Sequence, residues 1–184
     1  MRVIAGTARG LRLQAPPGRE VRPTTDRVRE ATFNALNSLG LIEGARVVDL
    51  FAGSGALGIE ALSRGAAQCT FCDTSAAALD CVRSNLRHTG LADSATVHRS
   101  DAHNHLVGPT AGPYDLAIAD PPYGEEHFAE LLAAVDAPVV VLESAREPEV
   151  PPGWTLVRQR RYGTTVVTIV SRIEAPQSND EDQS

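Results

Sequence analysis

The sequence lacks the features that mark secreted or membrane proteins. No apolar run approaches the roughly 18 residues needed to cross a bilayer, and residues 1–6 contain no apolar stretch typical of a signal peptide. The three cysteines cannot all pair with one another, which fits a reducing compartment. These absences predict a cytoplasmic protein without a membrane partner.

The few cysteines and histidines do not indicate a metal site. Cys69 and Cys72 have the C-x-x-C spacing, but they fall in a predicted strand. Residues three apart on a strand point to opposite faces, so the two thiols should not converge. His103 and His105 have no third ligand at a suitable spacing. We therefore predict no metal.

Lysine is absent, and all 17 basic residues are arginines. The net charge is −6, yet residues 1–29 contain seven arginines against Glu20 and Asp26. A basic N-terminal arm on an acidic body indicates a local contact with a polyanion. A solvated arm without a partner explains the same charge pattern equally well.

The pattern of apolar runs predicts one α/β domain with a small N-terminal appendage. The chain has 184 residues and 42% hydrophobic residues, enough for one core. Residues 2–6 and 11–14 read as a β-hairpin, and a helix follows the Arg22-Pro23-Thr24-Thr25 segment and ends at Gly40. Predicted strands then cover 46–51, 69–73, 95–98, 114–119, 138–143, 154–160 and 164–171, with helices at 56–64, 75–89 and 125–134. Repeated βα units predict a doubly wound, mostly parallel sheet closed by an antiparallel hairpin.

The most informative stretch covers residues 46–58. A short apolar run contains Asp49, ends at Phe51 and precedes three glycines with the spacing G-x-G-x-x-G. This order predicts a strand, a tight turn and a helix whose free N–H groups can bind a nucleotide-like ligand. Such turns are also common as purely structural devices. Asp73, 18 residues after Gly55, ends the next apolar run, where an acid can bind ribose hydroxyls.

A second stretch, Asp120-Pro121-Pro122-Tyr123, follows another predicted buried strand. Two prolines stiffen the turn and offer carbonyls without N–H groups. The carboxylate and the Pro121 carbonyl can accept hydrogen bonds from an amine, while the tyrosine offers a stacking face. The combination suits a planar ring with an exocyclic NH₂ group.

Together these stretches resemble the class I S-adenosylmethionine (SAM) methyltransferases, and within them those that methylate exocyclic amino groups of bases. Residues 46–58 look like the first cofactor motif of that family, and Asp73 matches its ribose-binding acid. Asp101-Ala102 matches the position that meets the adenine. Residues 120–123 match the catalytic Asn/Asp-Pro-Pro-Tyr/Phe motif.

The N-terminal segments 2–6, 10–13 and 22–33 resemble the RsmD family, the 16S ribosomal RNA guanine-N2 methyltransferases. The resemblance covers about residues 1–172. It departs at Asp73-Thr74-Ser75, where such sequences often carry Glu-Lys-Asp. It implies a Rossmann-like class I methyltransferase fold, SAM as cofactor, and 16S rRNA as the substrate of a monomer. That rRNA would be presented in a 30S particle or an assembly intermediate.

The resemblance assigns three groups of residues and three parts of the chain. The catalytic residues are Asp120, Pro121, Pro122 and Tyr123; the cofactor-binding residues are Asp49, Phe51, Gly53, Ser54, Gly55, Asp73, Asp101 and Ala102; the RNA-binding residues are Arg2, Arg9, Arg12, Arg22 and Arg29. Residues 1–21 form the predicted arginine-rich RNA-binding extension, 22–173 the methyltransferase domain and 174–184 a disordered acidic tail.

Three alternative functions remain open from the sequence. A nicotinamide-dependent dehydrogenase explains the glycines and Asp73 but gives residues 120–123 no role. Methyl transfer to DNA adenine N6 or to protein glutamine uses the same motif. A non-catalytic RNA-binding assembly factor would keep the fold without needing Asp120.

Overall fold

The computed structural model describes residues 1–16, 25–122 and 127–173. Predictions about Arg22, Tyr123 and the acidic tail therefore lie outside the described residues. Within these ranges no helix is both long enough and apolar enough to span a bilayer.

Helices and strands alternate along the described chain, as the spacing of apolar runs predicts. The helices are α1 (Thr25–Ser38), α2 (Ala56–Ser63), α3 (Ala76–Thr89), α4 (Ala102–Val107) and α5 (Phe128–Ala134), with a 3₁₀ turn at Ala92–Ser94. The strands are β1 (Arg46–Leu50), β2 (Gln68–Asp73), β3 (Ala95–Arg99), β4 (Leu116–Ala119), β5 (Val139–Ser144), β6 (Trp154–Tyr162) and β7 (Thr165–Arg172).

The strands form one sheet in the order β3-β2-β1-β4-β5-β7-β6. All neighbouring pairs from β3 to β5 are parallel, and β7 is antiparallel to both β5 and β6. The strand order reverses between β1 and β4, and ligands of open α/β sheets bind at the carboxyl ends of the strands at such a point. The predicted fold class is confirmed, including the antiparallel strand at the end of the chain.

Two hydrophobic clusters cover the two faces of the sheet. One face packs against the N-terminal segment, α1, α2 and α3, with Phe33, Leu36 and Phe71 fully buried. The other face packs against α4 and α5. Helices on both faces bury the central strands completely, which explains their continuous apolar sequences.

Local signals set the ends of α3 and the start of α4. The Ser75 hydroxyl accepts a hydrogen bond from the Ala78 N–H and caps α3, and Gly90 ends that helix in the left-handed conformation. Asp101 caps α4 by accepting from the Asn104 N–H. Both caps follow the carboxyl end of a strand.

The N-terminal segment is a chain reversal with a single antiparallel bridge, between Arg2 and Arg12. The predicted hairpin is present in short form, because backbone hydrogen bonds from the N–H groups of Val3, Gly10 and Leu13 to the carbonyls of Leu11, Val3 and Met1 flank this bridge. Residues 1–16, which we call the arm, gain their order from α2 and α3. The arm runs along α2, whose eight residues span about 12 Å.

Two polar side chains of α2 hold the arm in place. The Glu60 carboxylate is fully buried and accepts hydrogen bonds from the N–H groups of Ile4 and Ala5, at 2.8 and 3.1 Å. The Ser63 hydroxyl accepts from the Ala8 N–H at 3.0 Å. These bonds satisfy backbone donors of a segment that has little secondary structure of its own.

Candidate active site

Three carboxylates meet at the carboxyl ends of the central strands. β1 lies between β2 and β4, and Leu50 is level with the residues that precede Asp73 and Asp120. Phe51 therefore leaves the sheet between these two acids. Asp49 lies in β1, two residues before Phe51, and the negative charges of Asp73 and Asp120 both raise its pKa. The structure thus brings together acids that are 71 residues apart in the chain.

Asp49 is buried and holds the first turn of α2. Its Oδ2 accepts a hydrogen bond from the Gly58 N–H at 2.8 Å. The pKa of Asp49 is raised to about 8, chiefly by burial, with the Gly58 hydrogen bond lowering it and the charges of Asp120 and Asp73 adding to the rise. The carboxyl group is therefore poised to ionise when a cation arrives nearby.

The glycine turn has the backbone conformation that its sequence predicts. Gly53 and Gly55 have φ values of 56° and 77°, in the left-handed region that favours glycine. Gly58 has a different role, because a Cβ there would lie 2.4 Å from the Phe71 ring. The first two glycines shape the turn, and the third lets α2 pack closely on β2.

Asp73 connects the glycine turn to the start of α3. One carboxylate oxygen accepts from the Gly53 N–H and the other from the Ser75 N–H, both at 2.8 Å. A carboxylate has about four acceptor positions, so each oxygen keeps capacity for a hydroxyl donor. The position fits the predicted contact with ribose.

Phe51 is the only non-glycine residue with positive φ among the described residues, at 63°. A left-handed conformation costs a residue with a Cβ about 1–2 kcal/mol. Such strain concentrates at functional sites. No sequence pattern around Phe51 predicts this conformation.

A pocket of about 370 Å³ opens beside Phe51, between α4 and α5. Its walls are mostly apolar, with side chains at the rim that carry polar groups. The lining residues are Phe51, Asp101, Ala102, His103, Leu106, Pro121, His127, Phe128, Glu130 and Leu131. Four predicted site residues therefore line one cavity.

Sequence reasoning missed the apolar floor of this pocket. Leu106, Phe128 and Leu131 come from two short helices. Spacings of four residues from Ala102 to Leu106 and of three from Phe128 to Leu131 place each pair on one helix face. That periodicity was readable in the sequence, although it does not distinguish a pocket from an ordinary core.

Asp101 and Asp120 occupy different parts of the rim. Asp101 is exposed, and its hydrogen bond from the Asn104 N–H lowers its pKa. Asp120 is half-buried at the end of β4, with Pro121 buried behind it. Pro122 is half-buried, and Tyr123 lies outside the described residues.

The arm reaches the glycine turn. The Ser54 hydroxyl donates to the Met1 sulfur at 3.4 Å. Asn85, buried on α3, donates to the carbonyl oxygens of both Ser54 and Gln14. The glycine turn and the arm are thus linked through one side chain.

The predicted RNA-binding arginines fall into different environments. Arg2, Arg9 and Arg12 are exposed on the arm. Arg29 is a correction to the prediction: its side chain is only 3% exposed, because it pairs with Asp26 at 2.9 Å and with buried Glu60 at 3.7 Å. Its guanidinium is committed to joining α1 to α2 and is not presented to a phosphate.

The described residues hold no group of three or more His, Cys, Asp or Glu side chains arranged to bind a metal ion. Cys72 is buried beside the rim, and burial raises the pKa of its thiol to about 12. A thiol held in that form is a poor nucleophile and a poor metal ligand.

Comparisons with known proteins agree on one family. A family model described as "Conserved hypothetical protein 95" matches residues 1–171. The chain is 39% identical to "Putative rRNA methyltransferase YlbH" of Bacillus subtilis, over 94% of this chain and 99% of that protein. It is 36% identical to "Ribosomal RNA small subunit methyltransferase D" of Escherichia coli K12, over 99% of this chain and 94% of that protein. A solved structure described as "Putative methyltransferase yhhF from Escherichia coli" superposes with a TM-score of 0.81 at 36% identity, covering 94% of this chain and 97% of that one.

Proposed function

Since the chain belongs to the RsmD family, we propose that it transfers a methyl group from SAM to the exocyclic N2 amino group of a guanine in 16S rRNA. The observation that carries the proposal is the meeting of two motifs at one edge of the sheet. The glycine turn with Asp73 and the Asp120-Pro121-Pro122 segment flank the same residue, Phe51, beside an apolar pocket.

The residues at this edge fit SAM. The left-handed turn at Gly53 and Gly55 carries no side chain at either glycine and so lets the methionine end approach the backbone before α2, and Asp73 offers oxygens to the ribose hydroxyls. Ala102 and Leu106 provide apolar surface for an adenine beside Asp101. Three nearby carboxylates favour a ligand that carries positive charge.

Asp120 and Pro121 bind the amino group that receives the methyl group. When bound, SAM supplies an electrophilic methyl group on its sulfonium. The Asp120 carboxylate and the Pro121 carbonyl accept hydrogen bonds from the two hydrogens of the guanine N2. These contacts hold the amine in place and stabilise the positive charge that develops on nitrogen as it attacks. As the bond from N2 to the methyl carbon forms, the bond from that carbon to sulfur would break, leaving S-adenosylhomocysteine, and one N2 proton would leave to Asp120 or to solvent. No covalent bond to the protein is required.

The base must leave its stack in a folded RNA to reach this pocket. Tyr123, predicted from the sequence as a stacking face, follows directly after the Pro121-Pro122 turn. The exposed arginines of the arm, Arg2, Arg9 and Arg12, bind phosphates and supply the salt-dependent part of the affinity. We propose that the enzyme acts as a monomer in the cytoplasm, on a 30S particle or an assembly intermediate.

The test is methyl transfer with radiolabelled SAM. Substrates are 30S particles lacking the modification and naked 16S rRNA from the same particles, followed by nucleoside analysis. We expect N2-methylguanosine, formed faster on the particle. Labelled N6-methyladenosine, or label in protein, would identify one of the other acceptors. Binding of NADH without binding of SAM would favour a dehydrogenase instead.

A further inference from the structure

The outer edge of the sheet carries a second group of arginines. Residues 150–173 contain four arginines and no acidic residue, in a chain whose net charge is −6. Three of these arginines lie on the edge strand β6 at positions 158, 160 and 161, and all three are exposed. A basic edge strand on a protein with net negative charge creates a local positive potential that favours binding of an anionic partner.

A β-bulge turns two of these arginines towards the side of the sheet that carries the arm. The pairing register shifts between Leu156, opposite Val170, and Arg158, opposite Ile169. Val170 belongs to the cluster under α4 and α5, whereas Ile169 belongs to the cluster under the arm and α1. Without the extra residue, Leu156 and Arg158 would share a face, because side chains alternate along a strand.

Arg158 and Arg160 therefore lie beside α1. With Ala31 and Ala35 of α1, both line a narrow gap that also includes Tyr162. Neither arginine forms an ion pair with an acid of the described chain, whereas Arg161, on the opposite face, lies 3.7 Å from Glu147. The stems pack against the protein and the guanidinium groups remain available to a ligand.

The register places Arg160 at the same end of the strands as Asp120, which follows the carboxyl end of β4. Ala119 is level with Leu142 of β5, so Asp120 is level with the next residue, Glu143. Glu143 pairs with Val167 of β7, and Val167 pairs with Arg160 of β6. Asp120 and Arg160 are thus three strand spacings apart along one row, about 14 Å between backbones. A polyanion bound at Arg160 therefore reaches the reaction site within a few nucleotides.

We infer that Arg158 and Arg160 form a second contact for the sugar-phosphate backbone of the RNA substrate, on the opposite side of α1 from the arm. The inference rests on the proposed function for the identity of the polyanion. Guanidinium groups that project from a strand and face no acid suit phosphate oxygens, which position a nucleic acid without reading its sequence. RNA held on both sides of α1 is fixed in orientation relative to Asp120.

The first test compares two double variants of equal charge change. Arg158→Gln with Arg160→Gln removes the proposed contact, and Arg83→Gln with Arg87→Gln removes two exposed arginines of α3. Binding to 30S particles that lack the modification is measured over a range of salt concentrations. We expect the β6 variant to bind about tenfold more weakly, with a log–log salt slope smaller by about 1.4–1.8 for two lost phosphate contacts. The α3 variant should retain the wild-type slope, and both should retain wild-type SAM affinity.

The second test identifies the partner directly. A photo-crosslinking amino acid at position 160 should attach to rRNA when the variant is irradiated with 30S particles. Crosslinks to ribosomal protein alone would overturn the inference in favour of a protein-docking edge, and an unchanged salt slope in the β6 variant would overturn it outright. Both readouts are independent of turnover. A wild-type protein that binds particles but transfers no methyl group would contradict the proposed function. It would not contradict the RNA contact at Arg158 and Arg160.

Discussion

Asn85 donates a hydrogen bond to the Ser54 carbonyl oxygen at 2.9 Å, and it is 1% exposed. The same amide nitrogen donates to the Gln14 carbonyl at 3.0 Å, and the amide oxygen accepts from the Gln14 N–H at 2.8 Å. One side chain of α3 therefore contacts both the glycine turn and the end of the arm. A displacement of either the glycine turn or the end of the arm should therefore disturb the other through Asn85.

We expect Asn85→Ala to weaken SAM binding as well as stability. The substitution leaves partly buried backbone groups of Ser54 and Gln14 without their hydrogen-bond partner, which lowers the free energy of unfolding by about 1–3 kcal/mol. Loss of the Ser54 contact should raise KM for SAM more than it lowers kcat. Asn34→Ala, on the exposed face of α1, is the matched control. An Asn85 variant that folds and has wild-type SAM affinity would contradict the link.

Asp120 is predicted to act on the acceptor and not on the cofactor. Asp120→Ala removes the acceptor and should lower kcat by about 100-fold or more, as with the loss of one oriented charge-stabilising group. SAM affinity, measured by calorimetry, should remain within a few-fold of wild type. The control is Asp115→Ala just before the same strand, where the carboxylate pairs with Arg46 at 3.4 Å. Near-normal turnover of the Asp120 variant would show that Asp120 does not act on the methyl acceptor.

Much of this site follows from the sequence, because its motifs are local. A strand ending before Gly53, an acid at Asp73 and the stiff turn after Asp120 each depend on a few adjacent residues. The environments of Arg29 and Asn85 were not predictable, because Glu60 and Ser54 lie 31 residues away from them in the chain. The positive φ of Phe51 occurs where β1 ends between the ends of β2 and β4, and only strand pairing creates that setting.

Binding of SAM should release a proton from Asp49. Its pKa is raised to about 8 in the folded protein, mainly by burial, so the carboxyl group is largely protonated at pH 7. A nearby sulfonium and ammonium favour the ionised form and lower that pKa. Calorimetry at pH 7 in buffers of different ionisation enthalpy should detect the proton. S-adenosylhomocysteine, which lacks the sulfonium charge, should release less, and Asp49→Asn should release none with either ligand.

The same pKa predicts the direction of the pH dependence of stability. Between the unfolded pKa near 4 and the folded pKa near 8, the folded state holds a proton that the unfolded state has lost. Asp49 therefore lowers the free energy of unfolding as pH rises through this window, by at most about 1.4 kcal/mol per pH unit. Urea unfolding at pH 5 and pH 8 should show a larger loss for wild type than for Asp49→Asn. Equal losses would mean that Asp49 is already ionised in the folded protein.

Two glycines of the arm provide a test of whether its fixed position matters for RNA. Gly6 and Gly10 have nearly equal φ values, 81° and 84°, so an alanine at either position carries the same left-handed strain of about 1–2 kcal/mol. They differ in their surroundings: a Cβ at Gly6 would lie 1.6 Å from the Ser63 carbonyl oxygen, whereas one at Gly10 meets nothing within 4 Å. Gly6→Ala must therefore displace the arm from the end of α2, and Gly10→Ala need not. We expect both variants to lose similar stability from strain, with a further loss and much weaker binding to 30S particles for Gly6→Ala alone. Equal RNA affinity in the two variants would show that the arm binds phosphates as a flexible chain, and its attachment to α2 would then serve stability only.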